Sequence, residues 1–251
     1  MNETSEPNRK LRAMLQFSKQ FAPEALESIA RFHDGDTEDP QPLEGRSFQD
    51  YPWPILRTVP FGQQGAPAER FFLDVFESRR SARALTSAPL EAVVDALRLA
   101  MVPRFWKDGD PLRRSRRPAL SAGALHPISV LLFAGVAVYR VNADESVLEE
   151  LHVPPELRAG WVSKCKQLLP AADGAFIVLI ADMARPMAAY QYSESLVWRD
   201  AGALLQTLAL ATESYGLGFC PLGILGSEVV AGLPGADQLL AVGAAAIGQS
   251  V

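Results

Sequence analysis

The chain has 251 residues, of which 48% are apolar and 21% charged. A chain of this length and composition can bury a sizeable core, which excludes an intrinsically disordered protein. Acidic residues outnumber basic ones by 29 to 24, giving a net charge of -5. This balance offers no global attraction to nucleic acid.

Cysteine and histidine usage points to a reducing compartment and away from metal binding. Cys165 and Cys220 are too few for a disulfide framework, so the simplest expectation is a cytoplasmic protein. The three histidines are scattered, and no Cys or His pair has zinc spacing, so we expect no metal site. The N-terminus lacks an apolar signal core, and charged residues interrupt the apolar stretch 195–215, so we expect no membrane partner.

The first 67 residues read as a helical and extended segment that wraps a surface. Apolar spacing predicts helices over 9–33, with Pro23 starting a second one. From 33 to 67 the chain is rich in Pro, Gly and Asp, with interspersed aromatic residues that a free linker would not need. We therefore divide the chain into a wrapping segment, 1–67, and a main domain, 68–251.

Helix and strand patterns alternate along the main domain. Residues 68–78 predict a helix with Phe71, Phe72, Val75 and Phe76 on one side, and Pro89 opens a second helix, LEAVVDALRLAM. Residues 103–120 form a basic loop, which we expect to be solvated or mobile rather than a nucleic-acid site. ISVLLFAGV and AVYRV predict a hairpin, and GAFIVLIAD predicts a strand buried on both faces.

The longest predicted helix covers 195–215 and is apolar around most of its circumference. Such a helix is buried in a large core or in a subunit interface. Gly216 ends it as a left-handed cap, and strand-like stretches follow at GFCPLGIL and AVGAAAIG.

Three short motifs are candidates for ligand binding. In Ser78-Arg79-Arg80-Ser81-Ala82-Arg83, three arginines and two hydroxyls suit a phosphate, although a solvated basic turn is an equal alternative. Ser121-Ala-Gly-Ala-Leu-His-Pro127 has small residues that let backbone approach a flat ligand, with a tight loop as the alternative. Gly216-Leu-Gly-Phe-Cys-Pro-Leu-Gly223 follows a helix and enters a strand, the reverse of the dinucleotide fingerprint, so we reject a Rossmann loop.

Nucleophilic catalysis has little support in the sequence. There is no G-x-S-x-G elbow, and no carboxylate pair has glycosidase spacing. Cys220 lies in an apolar stretch and is expected to be a core residue, and His126 is expected to be structural.

Together, the motifs over residues 70–251 resemble the nitroreductase-like FMN-dependent superfamily. The marks are R-R-S-x-R at 79–83, S-A-G-A-L-H-P at 121–127, W-R-D-A-G-A-L-L-Q at 198–206 and G-L-G-F-C-P-L-G at 216–223. The second motif resembles the SagB-type (azoline) dehydrogenase branch, as do I-A-R-F-H-D-G at 29–35 and Y-P-W-P-I at 51–55. The resemblance implies an α+β fold, with a mostly antiparallel central sheet flanked by helices, in an intertwined homodimer with FMN at the subunit interface.

The resemblance also assigns roles to residues. Arg79, Ser81 and Arg83 would hold the FMN phosphate and ribityl chain, with Arg80 nearby. A second set, contributed by the partner subunit, would line the flavin: Ser121, Ala122, Gly123 and Leu125. Pro221, Leu222 and Gly223 would lie against the isoalloxazine, and a backbone N–H there would polarise the flavin for hydride transfer.

The chain departs from the family pattern in two places. Many relatives place Lys or Arg near the C-terminus on the FMN phosphate, but here no lysine follows Lys166 and no arginine follows Arg199. Azoline oxidases carry a Lys-Tyr pair ahead of the central helix. This region has Tyr190 and Tyr192 but no lysine, so the tyrosines are the candidate catalytic bases.

Three functions therefore stay open. The first is a SagB-type dehydrogenase acting on a peptide azoline or related small heterocycle. The second is an NAD(P)H-dependent nitroreductase or quinone reductase. The third is a non-catalytic flavin-binding partner in a biosynthetic complex.

Overall fold

A computed structural model of the chain describes residues 39–44, 47–67 and 69–251. Within it, Pro40–Val251 form one compact unit. The helices predicted over 9–33 and the I-A-R-F-H-D-G segment lie outside the described residues.

The described part of the chain contains strands and helices in alternation. The strands are β1 (Gln41–Pro42), β2 (Ile55–Pro60), β3 (Leu85–Thr86), β4 (Phe105–Trp106), β5 (Ser115–Arg116), β6 (Ile128–Ala134), β7 (Ala137–Asn142), β8 (Val147–Leu151), β9 (Ala175–Asp182), β10 (Tyr190–Gln191), β11 (Gly218–Leu222) and β12 (Leu239–Ser250). The helices are α1 (Phe72–Ser78), α2 (Leu90–Met101), α3 (Pro155–Leu168), α4 (Ala184–Ala189), α5 (Glu194–Ser214) and α6 (Ser227–Ala231), with a 3₁₀ turn at Ala122–Ala124.

The main sheet has the strand order β11-β12-β9-β6-β7-β8-β2, and all of these neighbours pair antiparallel. β3 adds to the C-terminal end of β12. Together with the helices, this confirms the predicted α+β fold with an antiparallel central sheet. The predicted hairpin is also present, as β6 and β7 joined by a two-residue turn.

Both faces of the sheet are covered, which explains the continuous apolar run in β9. Ile177 and Leu179 belong to the core cluster that contains α2 and α5. Val178 and Ile180 belong to the cluster that contains Trp161 of α3. Successive side chains of a strand point to opposite faces, so a central strand in a three-layer fold is apolar at every position.

Helix α5 has two different faces. Val197, Ala201, Leu204 and Leu208 are buried in the core of their own chain. On the other side Gly202 is exposed. The apolar stripe predicted from the sequence thus packs against α2 and the sheet. No helix among the described residues has the length and hydropathy needed to cross a membrane.

Helix α1 forms where a helix is predicted, but its apolar side is not buried. Val75 is buried, whereas four neighbouring large side chains form an exposed α1 apolar patch: Phe71 (82% exposed), Phe72 (67%), Leu73 (66%) and Phe76 (56%). A seven-residue helix lying on α5 has room to bury only one side-chain row there. The phenyl groups are left outside the core that the described residues form.

Candidate functional site

The arginine-rich motif lies against the edge of the main sheet. It follows α1, and the Ala82 N–H donates a hydrogen bond to the Phe219 carbonyl at 3.0 Å. Ser81 forms a parallel bridge with Phe219. A Cβ on Gly218 would lie 2.8 Å from the Cβ of Ala82, so glycine permits this close approach. The fold therefore brings the first and third sequence motifs together.

The guanidinium groups of this motif form no ion pair and no hydrogen bond among the described residues. Arg79 is half-buried, Arg80 and Arg83 are exposed, and none of the three forms an ion pair or side-chain hydrogen bond there. We refer to Arg79, Arg80, Ser81 and Arg83 as the arginine cluster. Because unpaired guanidiniums keep all their donors free, this cluster suits a phosphate group.

One carboxylate anchors the start of the arginine cluster. Ser78 Oγ donates to Glu213 Oε1 at 2.6 Å, and Arg70 Nη1 donates to the same oxygen at 3.1 Å. Burial raises the pKa of Glu213, but the hydrogen bonds from Ser78 and Arg70 and the charge of Arg80 outweigh burial and lower it. Glu213 therefore stays ionised and ties the end of α1 to the end of α5.

Pro221, Leu222 and Gly223 continue from the strand beside the arginine cluster. Pro221 and Leu222 end β11 opposite Ala245 and Ala244 of β12. Pro221 and Gly223 are exposed, and Leu222 is half-buried. Cys220 just before them is buried, and burial raises the pKa of its thiol, although Arg83 partly offsets this. Cys220 is thus a neutral core thiol.

The loop 121–126, which we call the small-residue loop, is bent by three residues in left-handed backbone conformations. These residues are Gly123 (φ 58°), Ala124 (φ 57°) and His126 (φ 48°). Asp200 of α5 accepts hydrogen bonds from Ser121 Oγ at 2.5 Å and from the Ala122 N–H at 2.8 Å. The Ser121 hydroxyl in turn accepts the His126 N–H at 2.9 Å.

The ring of His126 is held by a backbone carbonyl. Its Nε2 lies 2.9 Å from the carbonyl oxygen of Ser115, and because a carbonyl only accepts, Nε2 carries the proton. Burial first, and then the positive charge of Arg117, lower the pKa of His126 to about 4. The ring is therefore neutral near pH 7.

Tyr190 is next to the small-residue loop. A Cβ on Gly123 would lie 2.5 Å from the Tyr190 hydroxyl oxygen, so this hydroxyl contacts the loop backbone. The ring of Tyr190 packs against the cluster of Leu112, Leu125 and Ala189. Tyr192 is half-buried and has a left-handed backbone, φ 57°.

The two predicted halves of the site are separate within one chain. Among the described residues, no hydrogen bond or bridge joins the small-residue loop to the arginine cluster or to residues 221–223. Both halves attach to α5, through Asp200 and Glu213, which are about 20 Å apart along the helix axis. Neither carboxylate was assigned a role from the sequence. They are two of the four charged residues on α5, so position on the helix alone did not single them out.

The basic loop is solvated only in part: Arg104, Lys107 and Arg116 are exposed, as predicted, whereas other arginines form ion pairs. Arg117 is largely buried, forms an ion pair with Asp144 at 2.5 Å, and lies over the Trp106 ring at 5.9 Å. Arg113 pairs with Asp50 at 3.0 Å. Acidic residues distant in sequence neutralise the arginines and order the loop.

These charges surround a cavity of about 360 Å³ at one end of the sheet. Its lining includes four arginines and four carboxylates: Arg113, Arg117, Arg140, Arg185, Asp50, Asp144, Glu145 and Asp182. The described residues contain no group of three or more Asp, Glu, His or Cys side chains arranged to hold a metal ion.

Solved structures share this architecture. A putative nitroreductase from Ralstonia eutropha JMP134 superposes with a TM-score of 0.59 at 16% identity, covering 85% of this chain and 99% of that one. One from Anabaena variabilis ATCC 29413 gives a TM-score of 0.60 at 17% identity, covering 88% of this chain but only 46% of that one.

No curated protein matches the chain. The model of the Nitroreductase family, however, matches residues 76–249. This range contains the arginine cluster, the small-residue loop and residues 221–223, and it is well over half of the sequence. The chain belongs to the Nitroreductase family.

Proposed function

We propose that this protein is an FMN-dependent oxidoreductase that works as a homodimer. The observation that carries the proposal is the arginine cluster, whose three guanidiniums have no partner among the described residues and lie beside the strand that leads into 221–223. In the same chain, other arginines are used in ion pairs, including Arg113 and Arg117. Keeping three cations unpaired favours an anionic ligand, and the donor set fits a phosphate monoester such as that of FMN.

Arg79, Ser81 and Arg83 would hold the phosphate and ribityl chain, with Arg80 nearby. Pro221, Leu222 and Gly223 would lie against the isoalloxazine. When bound, FMN supplies hydride transfer. The protein contributes exposed backbone at the end of β11 and a rigid sheet edge that holds it in place.

The homodimer follows from the separation of the two halves. The small-residue loop and the arginine cluster attach to α5 about 20 Å apart along the helix axis, which favours their contacting different flavins. Ser121, Ala122, Gly123 and Leu125 would therefore line the partner's flavin. The α1 apolar patch supports a subunit contact, since contiguous exposed phenyl groups mark interaction surfaces in soluble proteins.

The finer proposal is a SagB-type dehydrogenase that acts on a peptide azoline or related small heterocycle. The supporting observation is the Tyr190 hydroxyl beside Gly123, inside the proposed flavin-lining loop. A phenol at this position would take a proton from a substrate held over the flavin. Tyr192, two residues further on, is the second candidate base. NAD(P)H-dependent reduction of nitroaromatics or quinones is the alternative oxidoreductase reaction.

The first experiment is the visible absorbance spectrum of the purified protein, followed by identification of the released chromophore and titration with FMN. We expect a yellow protein that releases FMN. A colourless protein that takes up no added FMN would refute the proposal. A protein that binds FMN but turns over neither azolines nor nitroaromatics would be a flavin-binding partner instead.

The substrate class is tested with Tyr190→Phe, alongside Tyr192→Phe for the second candidate base, and Tyr139→Phe, a half-buried tyrosine of β7 outside the proposed site, is the matched control. If Tyr190 moves the substrate proton, its loss lowers azoline oxidation by about 10²-fold or more. Flavin content and NAD(P)H-dependent reduction of a nitroaromatic would stay unchanged. Equal activity of Tyr190→Phe and the parent protein on azolines would remove Tyr190 from the mechanism.

A further inference from the structure

The small-residue loop needs an external support to keep its shape. Ala124 and His126 both have a left-handed backbone, which is unfavourable for residues with a Cβ atom. Two such residues flanking Leu125 would relax if nothing fixed the ends of the loop. Hydrogen bonds across the loop therefore decide whether it holds this conformation.

A single carboxylate provides that support. Asp200 is 7% exposed and uses both oxygens on the loop, one for Ser121 Oγ and the other for the Ala122 N–H. The Ser121 hydroxyl also accepts a hydrogen bond from the N–H of His126, at the other end of the loop. Asp200 therefore holds the first residue of the loop directly and the last residue through Ser121. Asp200 belongs to the 21-residue helix α5, so the support is rigid.

Burial and hydrogen bonding act on Asp200 in opposite directions. Burial raises the pKa of Asp200, while the hydrogen bonds from Ser121 and Ala122 and the charge of Arg199 oppose that rise. Arg117 and His126 line the same small cavity beside it. Each of the two carboxylate oxygens thus has a donor from the loop, which compensates in part for its burial.

We infer that Asp200 is a positioning residue that sets the conformation of the small-residue loop and thereby the affinity for flavin. The effect on flavin affinity rests on the proposed function. The effect of Asp200 on the conformation of the loop does not depend on it. Asp200 acts through Ser121 and Ala122 rather than by touching the flavin or the substrate. Its loss therefore weakens flavin binding.

The test compares Asp200→Asn with Asp95→Asn in the full-length protein. Asp95 is a matched control, since it is also a largely buried helix carboxylate (8% exposed) that accepts a loop N–H, from Gly65 at 2.8 Å. Amide hydrogen exchange at residues 122–126 is measured without added FMN, and the Kd for FMN is measured by titration. We expect exchange at least about tenfold faster and a Kd at least about tenfold higher for Asp200→Asn only.

Each outcome decides the inference. Unchanged exchange, or faster exchange with an unchanged Kd, overturns the positioning role. If the parent protein binds no FMN, the proposed function fails, while hydrogen exchange still tests the support of the loop.

A second pair of variants covers the case in which Asp200→Asn does not fold. Ser121→Ala removes the hydroxyl that links Asp200 to His126, whereas Ser121→Thr keeps a hydroxyl there. We expect Ser121→Ala to speed amide exchange at residues 122–126 without FMN and to raise the Kd for FMN, and Ser121→Thr to restore both. A Ser121 hydroxyl that only touched the flavin would leave the exchange of the FMN-free protein unchanged. Equal Kd values for the two variants would contradict the inference, because a role in packing alone does not depend on the hydroxyl.

Discussion

The arginine cluster and the small-residue loop prepare for a ligand in opposite ways. The cluster is held by the Ala82 hydrogen bond to β11 and by Glu213 at the preceding Ser78. Its guanidiniums form no ion pair or hydrogen bond among the described residues. In the loop, the side chains of Asp200 and Ser121 are fully engaged before any ligand arrives. The arginine cluster keeps its hydrogen-bond donors free for a ligand, and the small-residue loop is held in an unfavourable backbone conformation.

This difference separates the two tasks of a cofactor site. Free guanidiniums gain most of their hydrogen-bond energy when the anion binds, so the cluster contributes to affinity and little to stability of the free protein. A preformed loop loses its conformational entropy during folding rather than on binding. Changes that destabilise the loop should therefore also weaken binding. Mutations in the two regions should therefore separate affinity from stability.

The largest expected effect is on flavin affinity, from Arg79→Ala combined with Arg83→Ala. Two charge-assisted hydrogen bonds of about 1.5–3 kcal/mol each would be lost, which raises the Kd for FMN roughly 10²- to 10⁴-fold. Because neither side chain has a protein partner among the described residues, the melting temperature of the flavin-free protein should hardly change. FMN titration and thermal unfolding measure the two quantities.

Arg104→Ala with Arg116→Ala is the control for net charge. Both of these arginines are exposed and lie outside the proposed site. The control should keep the Kd of the parent protein. A double variant at 79 and 83 that purifies with full flavin content would show that the phosphate is bound elsewhere.

The second effect is on stability near the small-residue loop, as the pH falls. An unperturbed histidine has a pKa near 6.5, and in this fold burial and Arg117 lower that of His126 to about 4. The unfolded chain therefore takes up the proton first. The stabilisation is complete above about pH 6.5 and is lost as the pH falls towards 4.

Urea unfolding at several pH values measures this loss. We expect roughly 2 kcal/mol less stability near pH 4 than near pH 7 from His126, allowing for partial solvent screening. His126→Asn tolerates the left-handed backbone and does not titrate, so it should remove this part of the slope. Asp200 has a raised pKa and so contributes in the opposite direction, losing stability as the pH rises. If His126→Asn kept the full acid sensitivity of the parent, the burial of His126 would not be its cause.

Sequence periodicity predicted α2, α5 and the strands β6, β7 and β9, because their patterns are local, but it did not predict helix α3 or strands β2 and β8. Helix α2 begins directly after Pro89, and β9 is apolar at almost every position because two layers cover it. The α1 apolar patch shows where periodicity fails. The apolar residues of α1 have the spacing of a buried helix face, yet Phe72 and Phe76 are exposed. Periodicity shows which residues share a face but not whether another element covers that face.

Long-range charge pairing was the main feature that the sequence did not reveal. The basic loop read as solvated because Asp50 and Asp144, which pair with Arg113 and Arg117, are at least 27 residues away along the chain. Asp200 was hidden for the same reason, since its partner Ser121 is 79 residues away. Motif order identified the family, but only the fold shows which carboxylates hold each half of the site.

The smallest expected effect concerns the fit between Gly123 and Tyr190. In Gly123→Ala the new Cβ would lie 2.5 Å from the Tyr190 hydroxyl oxygen, and the backbone at φ 58° is unfavourable for alanine. We expect a loss of about 1–2 kcal/mol in the free energy of unfolding. Adding Tyr190→Phe removes the hydroxyl and should return part of that loss, leaving the backbone component. A double-mutant cycle by urea unfolding measures this coupling. If the effects of the two substitutions are additive, the Tyr190 hydroxyl does not constrain the loop at Gly123. The conformation of the loop then depends on Asp200 and not on Tyr190.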